Sequence, residues 1–128
     1  MKLSITSILT WKMKEFTLNN APETITFFER LLPLVVSGEK VITIRDESES
    51  YYVPGSIIKV YALETGKYYT DIEIISVDAI SYNDISEYHA AQESMSLDTL
   101  KTLIREIYPT EKNLFVIHYR LVNDIKTN

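Results

Sequence analysis

The chain predicts an α+β domain in which strands form a closed or nearly closed barrel with flanking helices. Three observations carry this reading. Runs rich in β-branched and aromatic residues alternate with turn signals from Val41 to Ile80 and return at Leu114 to Val122. Two apolar stripes at helical spacing, Phe27 to Val35 and Leu97 to Ile107, lie outside those runs. The longest run, Tyr68 to about Ile80, changes phase at Ile74-Ile75: Ile72 and Ile74 share one face, Ile75 and Val77 the other. Such a slip is how a bulge or barrel corner looks in sequence, and it favours a closed or nearly closed barrel over a flat sheet.

Taken in order, residues 1–22 form an N-terminal extension. Ile5 to Trp11 is mildly apolar, but Lys12 and Lys14 interrupt it, so it is too short and too polar for a signal peptide or membrane span. Met13 is an alternative start. The domain proper is expected at 23–123, with a polar tail at 124–128. Thr24 reads as the N-cap of a helix carrying Phe27, Phe28, Leu31, Leu34 and Val35 on its core face. Pro33 should break that helix around Glu29 to Leu32, and Gly38 suits its C-terminal stop. Strands follow at 41–45, 57–63 and 68–80, the last two joined by a hairpin at Thr65-Gly66. Asn83 or Ser86 caps a short helix through His89 and Ala91. Ser96 caps a longer one striped with Leu97, Leu100, Leu103, Ile104 and Ile107, and Pro109 ends it. The last strand, Leu114 to Val122, places Phe115, Ile117, Tyr119 and Leu121 on one face, with His118 and Arg120 exposed on the other.

Composition narrows the functional classes. At 128 residues, with 45% hydrophobic and 24% charged residues, the chain matches an ordinary soluble domain with one modest core. Net charge is −5, the sequence pI is near 5.0, and no lysine/arginine cluster is present. Binding to bulk nucleic acid draws most of its affinity from phosphate neutralisation, so this balance favours a small, weakly charged ligand. Nine tyrosines suit half-buried strand faces, or a pocket that stacks planar ligands. With no cysteine, disulfides, thiolate nucleophiles and cysteine-held zinc are excluded. A reducing cytoplasm fits that absence and is the expected location.

The stretch Ser37 to Ser50 concentrates the candidate chemistry. Alternation along the strand sends Ile42 and Ile44 to a core and places Thr43 and Arg45 side by side on the other face, with Lys40 just upstream. A hydroxyl, an amine and a guanidinium that converge are the parts of a nucleophile, its base and an anion stabiliser, although spacing alone fits solvated strand decoration more simply. Asp46, Glu47 and Glu49 put three carboxylates in five residues. No histidine is near, and the alternating serines suit turn hydrogen bonds better than metal ligation. Glu93 falls in the junction between two helices. A partly desolvated carboxylate there suits a general acid, and a capping or solvated glutamate is the plainer reading.

The runs ITFFER (25–30), GEKVITIRDESES (38–50), EYHAAQESM (87–95) and IYP (107–109) resemble the small bacterial ASCH-domain proteins that act as N(4)-acetylcytidine amidohydrolases. The likeness spans about residues 25–122. It implies an α+β, PUA-like mixed barrel of about five to six strands with two to three flanking helices, and a metal-free, cofactor-free enzyme that converts N(4)-acetylcytidine to cytidine and acetate. Carried over by motif, Thr43 stands at the family's nucleophile, Lys40 at its base and Glu93 at its general acid. Arg45 and Glu47 are further candidates for substrate binding or oxyanion stabilisation. Attack by Thr43 through an acetyl-threonine, and direct attack by water on substrate held by Thr43, both remain open. The alternative from a different class is a non-catalytic RNA-binding or regulatory barrel, which would need a basic groove with stacking aromatics.

Overall fold

The computed structural model describes residues 21–122; the expectations for residues 1–20 and 124–128 lie outside the described residues. Chain order is β1 (Thr24–Phe27), a 3-10 turn (Glu29–Leu31), α1 (Leu32–Ser37), β2 (Ile42–Arg45), a second 3-10 turn (Glu47–Glu49), β3 (Ile57–Ala62) and β4 (Tyr68–Ser81). A third 3-10 turn (Tyr82–Asp84), α2 (Glu87–Gln92), α3 (Leu97–Ile107) and β5 (Asn113–Leu121) complete it. The strands form one mixed sheet in the order β1-β3-β4-β5-β2, with β1 parallel to β3 and the other pairs antiparallel. Its two edges approach each other: Arg45 Nη2, at the end of β2, donates to Thr26 O of β1 at 2.8 Å. The expected α+β barrel is therefore present, and a guanidinium rather than a strand ladder bridges its seam.

The phase slip in β4 is a bulge. Ile72 and Ile74 are fully buried, and the register against β5 shifts between Ile74 and Ser76. Ile75 is the extra residue and turns outward, while Val77 rejoins the same core as Ile72 and Ile74. That core fills the sheet's inner face with Ile25, Phe27, Ile58, Val60, Ile117 and Tyr119. A second core on the opposite face packs Ile42, Ile44 and Leu114 against Ala90, Leu100 and Ile104 of α2 and α3. Strand β2 lies between the two. Ile42 and Ile44 face the second core, and Thr43, opposite Ile117 in the ladder, faces the first.

Three sequence expectations need correction. Thr24–Phe27 is a strand, not the start of a helix: Ile25 and Phe27 alternate inward and the segment pairs with β3, which satisfies its backbone groups. The break around Glu29 to Leu32 does occur, but Pro33 lies in the first turn of α1, where a missing N–H costs nothing. Strand β5 is buried in part on both faces, since Leu114 joins the second core, so His118 is half-buried rather than exposed.

Gly38 ends α1 with φ +83°, its N–H donating to Val35 O at 3.2 Å, and the Lys40 N–H then returns to Leu34 O at 3.0 Å. This fold-back aims Lys40 inward. A Cβ at position 38 would meet only Leu121 Cδ1, at 3.7 Å, so the space is adequate and the cost is backbone strain. Gly38→Ala is expected to destabilise the protein by about 1–2 kcal/mol in denaturant titration, the penalty for a left-handed alanine.

Candidate active site

Five short pieces of backbone deliver the site. The Gly38 turn supplies Lys40, β2 supplies Thr43 and Arg45, the turn after it supplies Glu49, the end of α2 supplies Glu93, and the end of α3 supplies Tyr108. Glu93 is the C-cap of α2, which is tied to the start of β2 by the hydrogen bond from Val41 N to Gln92 O at 2.9 Å. The next residue, Ser94, takes φ +60°, an uncommon conformation for a residue with a side chain. It turns the chain into α3 while leaving Glu93 pointing inward. His89 is structural: its Nδ1 accepts from Ser86 N at 3.1 Å, completing the cap of α2.

Lys40 and Glu93 are 2% and 3% exposed and form a direct ion pair through Oε1. Lys40 Nζ also donates to Ile42 O at 2.7 Å and lies 5.5 Å from the centre of the Phe27 ring. Burial lowers the pKa of Lys40 below the usual lysine value, with a smaller contribution from Arg45, and Glu93 pulls the other way. Thr43, also buried, accepts from Arg45 Nε at 2.8 Å. The rest of the guanidinium is fully tethered, with Nη1 on Glu49 Oε1 at 2.7 Å and Nη2 on Thr26 O. Tyr108 OH donates to the other oxygen of Glu49 at 2.8 Å, and burial followed by that bond raises its pKa.

These groups line a cavity of about 200 Å³ at the barrel seam. Lys40, Thr43, Arg45, Glu49, Glu93 and Tyr108 form its polar end, and Phe28, Leu31, Leu63, Leu103 and Ile107 form apolar walls. The stripe on α3 therefore serves partly as cavity wall: Leu100 and Ile104 are buried, whereas Ile107 is 43% exposed. Of the five site residues predicted from sequence, four converge here. Glu47 does not; it is exposed and accepts from Tyr51 OH at 3.2 Å. Glu49 occupies the inward position, and it and Tyr108 were not identified from sequence. Lys40 and Thr43 line the same cavity, but the hydroxyl is held by Arg45, and the amine by Glu93 and Ile42. Among the described residues, no group of three or more histidine, aspartate or glutamate side chains is placed to hold a metal ion.

The ASCH domain family model matches residues 23–120, and the chain belongs to that family, on the branch of the bacterial N(4)-acetylcytidine amidohydrolases. It is 52% identical to the N(4)-acetylcytidine amidohydrolase of Vibrio parahaemolyticus over 105 residues, covering 82% of this chain and 98% of the relative. It is 51% identical to the Vibrio cholerae protein of the same name over 102 residues, covering 80% and 90%. In fold it is similar to the crystal structure of an ASCH domain from Lactobacillus crispatus (TM-score 0.63, 20% identity, covering 88% of this chain and 92% of that one). A crystal structure from Enterococcus faecalis is likewise similar (TM-score 0.64, 18% identity, covering 89% and 86%).

Proposed function

We propose that this protein deacetylates N(4)-acetylcytidine to cytidine and acetate without a metal, with Thr43 as nucleophile, Lys40 as base and Glu93 as acid. The observation that carries the reading is the buried Lys40–Glu93 pair in one cavity with a tethered Thr43 hydroxyl. The names of the relatives supply the substrate.

A buried ion pair can neutralise itself by passing one proton from Lys40 to Glu93, because burial penalises both charges. That single transfer creates a neutral amine and a carboxylic acid side by side. Arg45 Nε occupies an acceptor site on Thr43 Oγ1, which leaves the hydroxyl proton available to Lys40. Oγ1 attacks the acetyl carbonyl, Lys40 takes its proton, and Glu93 protonates the exocyclic nitrogen as the C–N bond breaks. Cytidine leaves, and the acetyl group remains on Thr43. In the return half, Glu93 takes a proton from water, the oxygen of that water attacks the ester, and Lys40 protonates the departing Oγ1. Acetic acid is released and loses its proton to solvent as acetate, and the pair is restored. Because the leaving nitrogen is conjugated to the pyrimidine ring, it departs more readily than an alkyl amine, so no Lewis acid is required.

Charge balance supports a free nucleoside. The two cations at the cavity, Lys40 and Arg45, are each engaged by a carboxylate of the same cavity, Glu93 and Glu49. A phosphate would have to displace one of those carboxylates. The test is release of cytidine from N(4)-acetylcytidine by purified protein in EDTA. Full activity is expected with the nucleoside and little with acetylated cytidine inside an RNA strand. Activity lost in EDTA and restored by zinc would refute the metal-free reading. The active pair carries one proton, so the rate should fall at alkaline pH as that proton is lost. The lowered pKa of Lys40 places this limb below the ordinary lysine value of 10.5.

A further inference from the structure

Two polar side chains of the cavity take no part in the proposed steps: Glu49 and Tyr108. They are joined to each other and to Arg45 in one chain of hydrogen bonds. Tyr108 OH donates to Glu49 Oε2 at 2.8 Å, Glu49 Oε1 accepts from Arg45 Nη1 at 2.7 Å, and Arg45 Nε donates to Thr43 Oγ1 at 2.8 Å. The carboxylate and the phenol differ in freedom. The Glu49 side chain is 42% exposed and sits on a 3-10 turn, whereas Tyr108 is buried at the end of α3. Arg105 Nη1 fixes that end by donating to Tyr108 O at 3.0 Å and to Glu111 O at 2.7 Å. Arginine and carboxylate favour a two-pronged grip. Here Glu49 holds Arg45 by one oxygen, and the phenol takes the other. Arg45 Nη2 is thereby left to Thr26 O, and Nε to Thr43.

We infer that Tyr108 is a positioning residue: by occupying Oε2 of Glu49 it restricts that carboxylate to a one-point grip on Arg45, which keeps Nε on Thr43 and leaves the hydroxyl proton to Lys40. This rests on the amidohydrolase reading. Without the phenol, the partly exposed carboxylate is free to swing to solvent, or to close a fork on both Nη groups in competition with Thr26 O. Either movement shifts Nε off the hydroxyl. Tyr108 acts through Glu49 and Arg45, so its loss should be felt in the chemical step and not in substrate binding.

The test is Tyr108→Phe, which keeps the ring and removes only the donor. With N(4)-acetylcytidine, kcat is expected to fall by roughly tenfold, the effect of one hydrogen bond to a charged group, while KM stays within about twofold. Glu49→Ala should lower kcat at least as far. Tyr108→Phe added to it should cost nothing more, because the phenol acts only through that carboxylate. In the resting protein, the Arg45 Nε–H signal in proton–nitrogen NMR, assigned by its loss in Arg45→Lys, should move in Tyr108→Phe. A wild-type kcat, a raised KM with kcat unchanged, losses that multiply in the double variant, or an unmoved Nε–H signal would each overturn the inference. If the wild type itself releases no cytidine, it is the amidohydrolase reading that fails, and the Nε–H signal then decides whether Tyr108 holds Arg45.

Discussion

Thr43→Ala is expected to lower kcat on N(4)-acetylcytidine by at least about 10³-fold while leaving substrate binding measurable. The substitution removes the oxygen proposed to attack and the acceptor of Arg45 Nε, but Arg45 keeps its bonds to Glu49 and Thr26 and the cavity keeps its walls. Thr43→Ser retains the hydroxyl and frees its rotamer, so a partial loss is expected. A nucleophile and its base act as one unit. The Lys40→Ala/Thr43→Ala double variant should therefore be little worse than Thr43→Ala alone. Strictly additive losses would return Thr43 to a binding role.

The second large effect is on stability. Lys40→Met strands the Glu93 carboxylate in a site where it is 3% exposed, and should cost about 3–5 kcal/mol in denaturant titration. Replacing both partners, as Lys40→Met/Glu93→Leu, should recover most of that loss, since apolar residues of similar volume avoid the desolvation of both charges. Neither variant should turn over substrate. A double variant as unstable as the single one would mean that the pair is not the buried unit described. Lys40→Arg separates base from charge. Arginine cannot become neutral at working pH, so it should be as inactive as Lys40→Ala if Lys40 takes a proton.

Part of the candidate site is local in sequence, so the convergence of those side chains was legible, but spacing alone fits solvated strand decoration and the proposed roles come from the family resemblance. Gly38, Lys40, Thr43 and Arg45 lie within eight residues of one another on a turn and a strand, and period-two alternation puts Thr43 and Arg45 on one face. The bulge at Ile74–Ser76 was readable because a bulge must break that alternation. What was not legible depends on long-range closure. Thr24–Phe27 is a strand only because β3 arrives beside it, and its apolar residues also fit the helical spacing continued by Leu31 and Val35. Which carboxylate of Asp46 to Glu49 faces inward is set by the 3-10 turn together with Arg45 and with Tyr108, 59 residues from Glu49. Periodicity carries no signal for that choice, so the sequence expectation falls on Glu47 while Glu49 is the carboxylate that lines the cavity. Tyr108 follows the end of α3 and precedes Pro109, where a tyrosine reads as a helix stop.

In the proposed mechanism Thr43 makes and breaks a bond to the acetyl group. Rapid acid quench of enzyme mixed with N(4)-acetylcytidine, followed by mass analysis of the peptide containing Thr43, tests it directly. A transient gain of one acetyl group on Thr43 is expected, forming and decaying at rates consistent with turnover, and none in Thr43→Ala. Sustained turnover with no acetylated peptide at any time point, or Thr43→Ala turning over at a rate close to wild type, would contradict it.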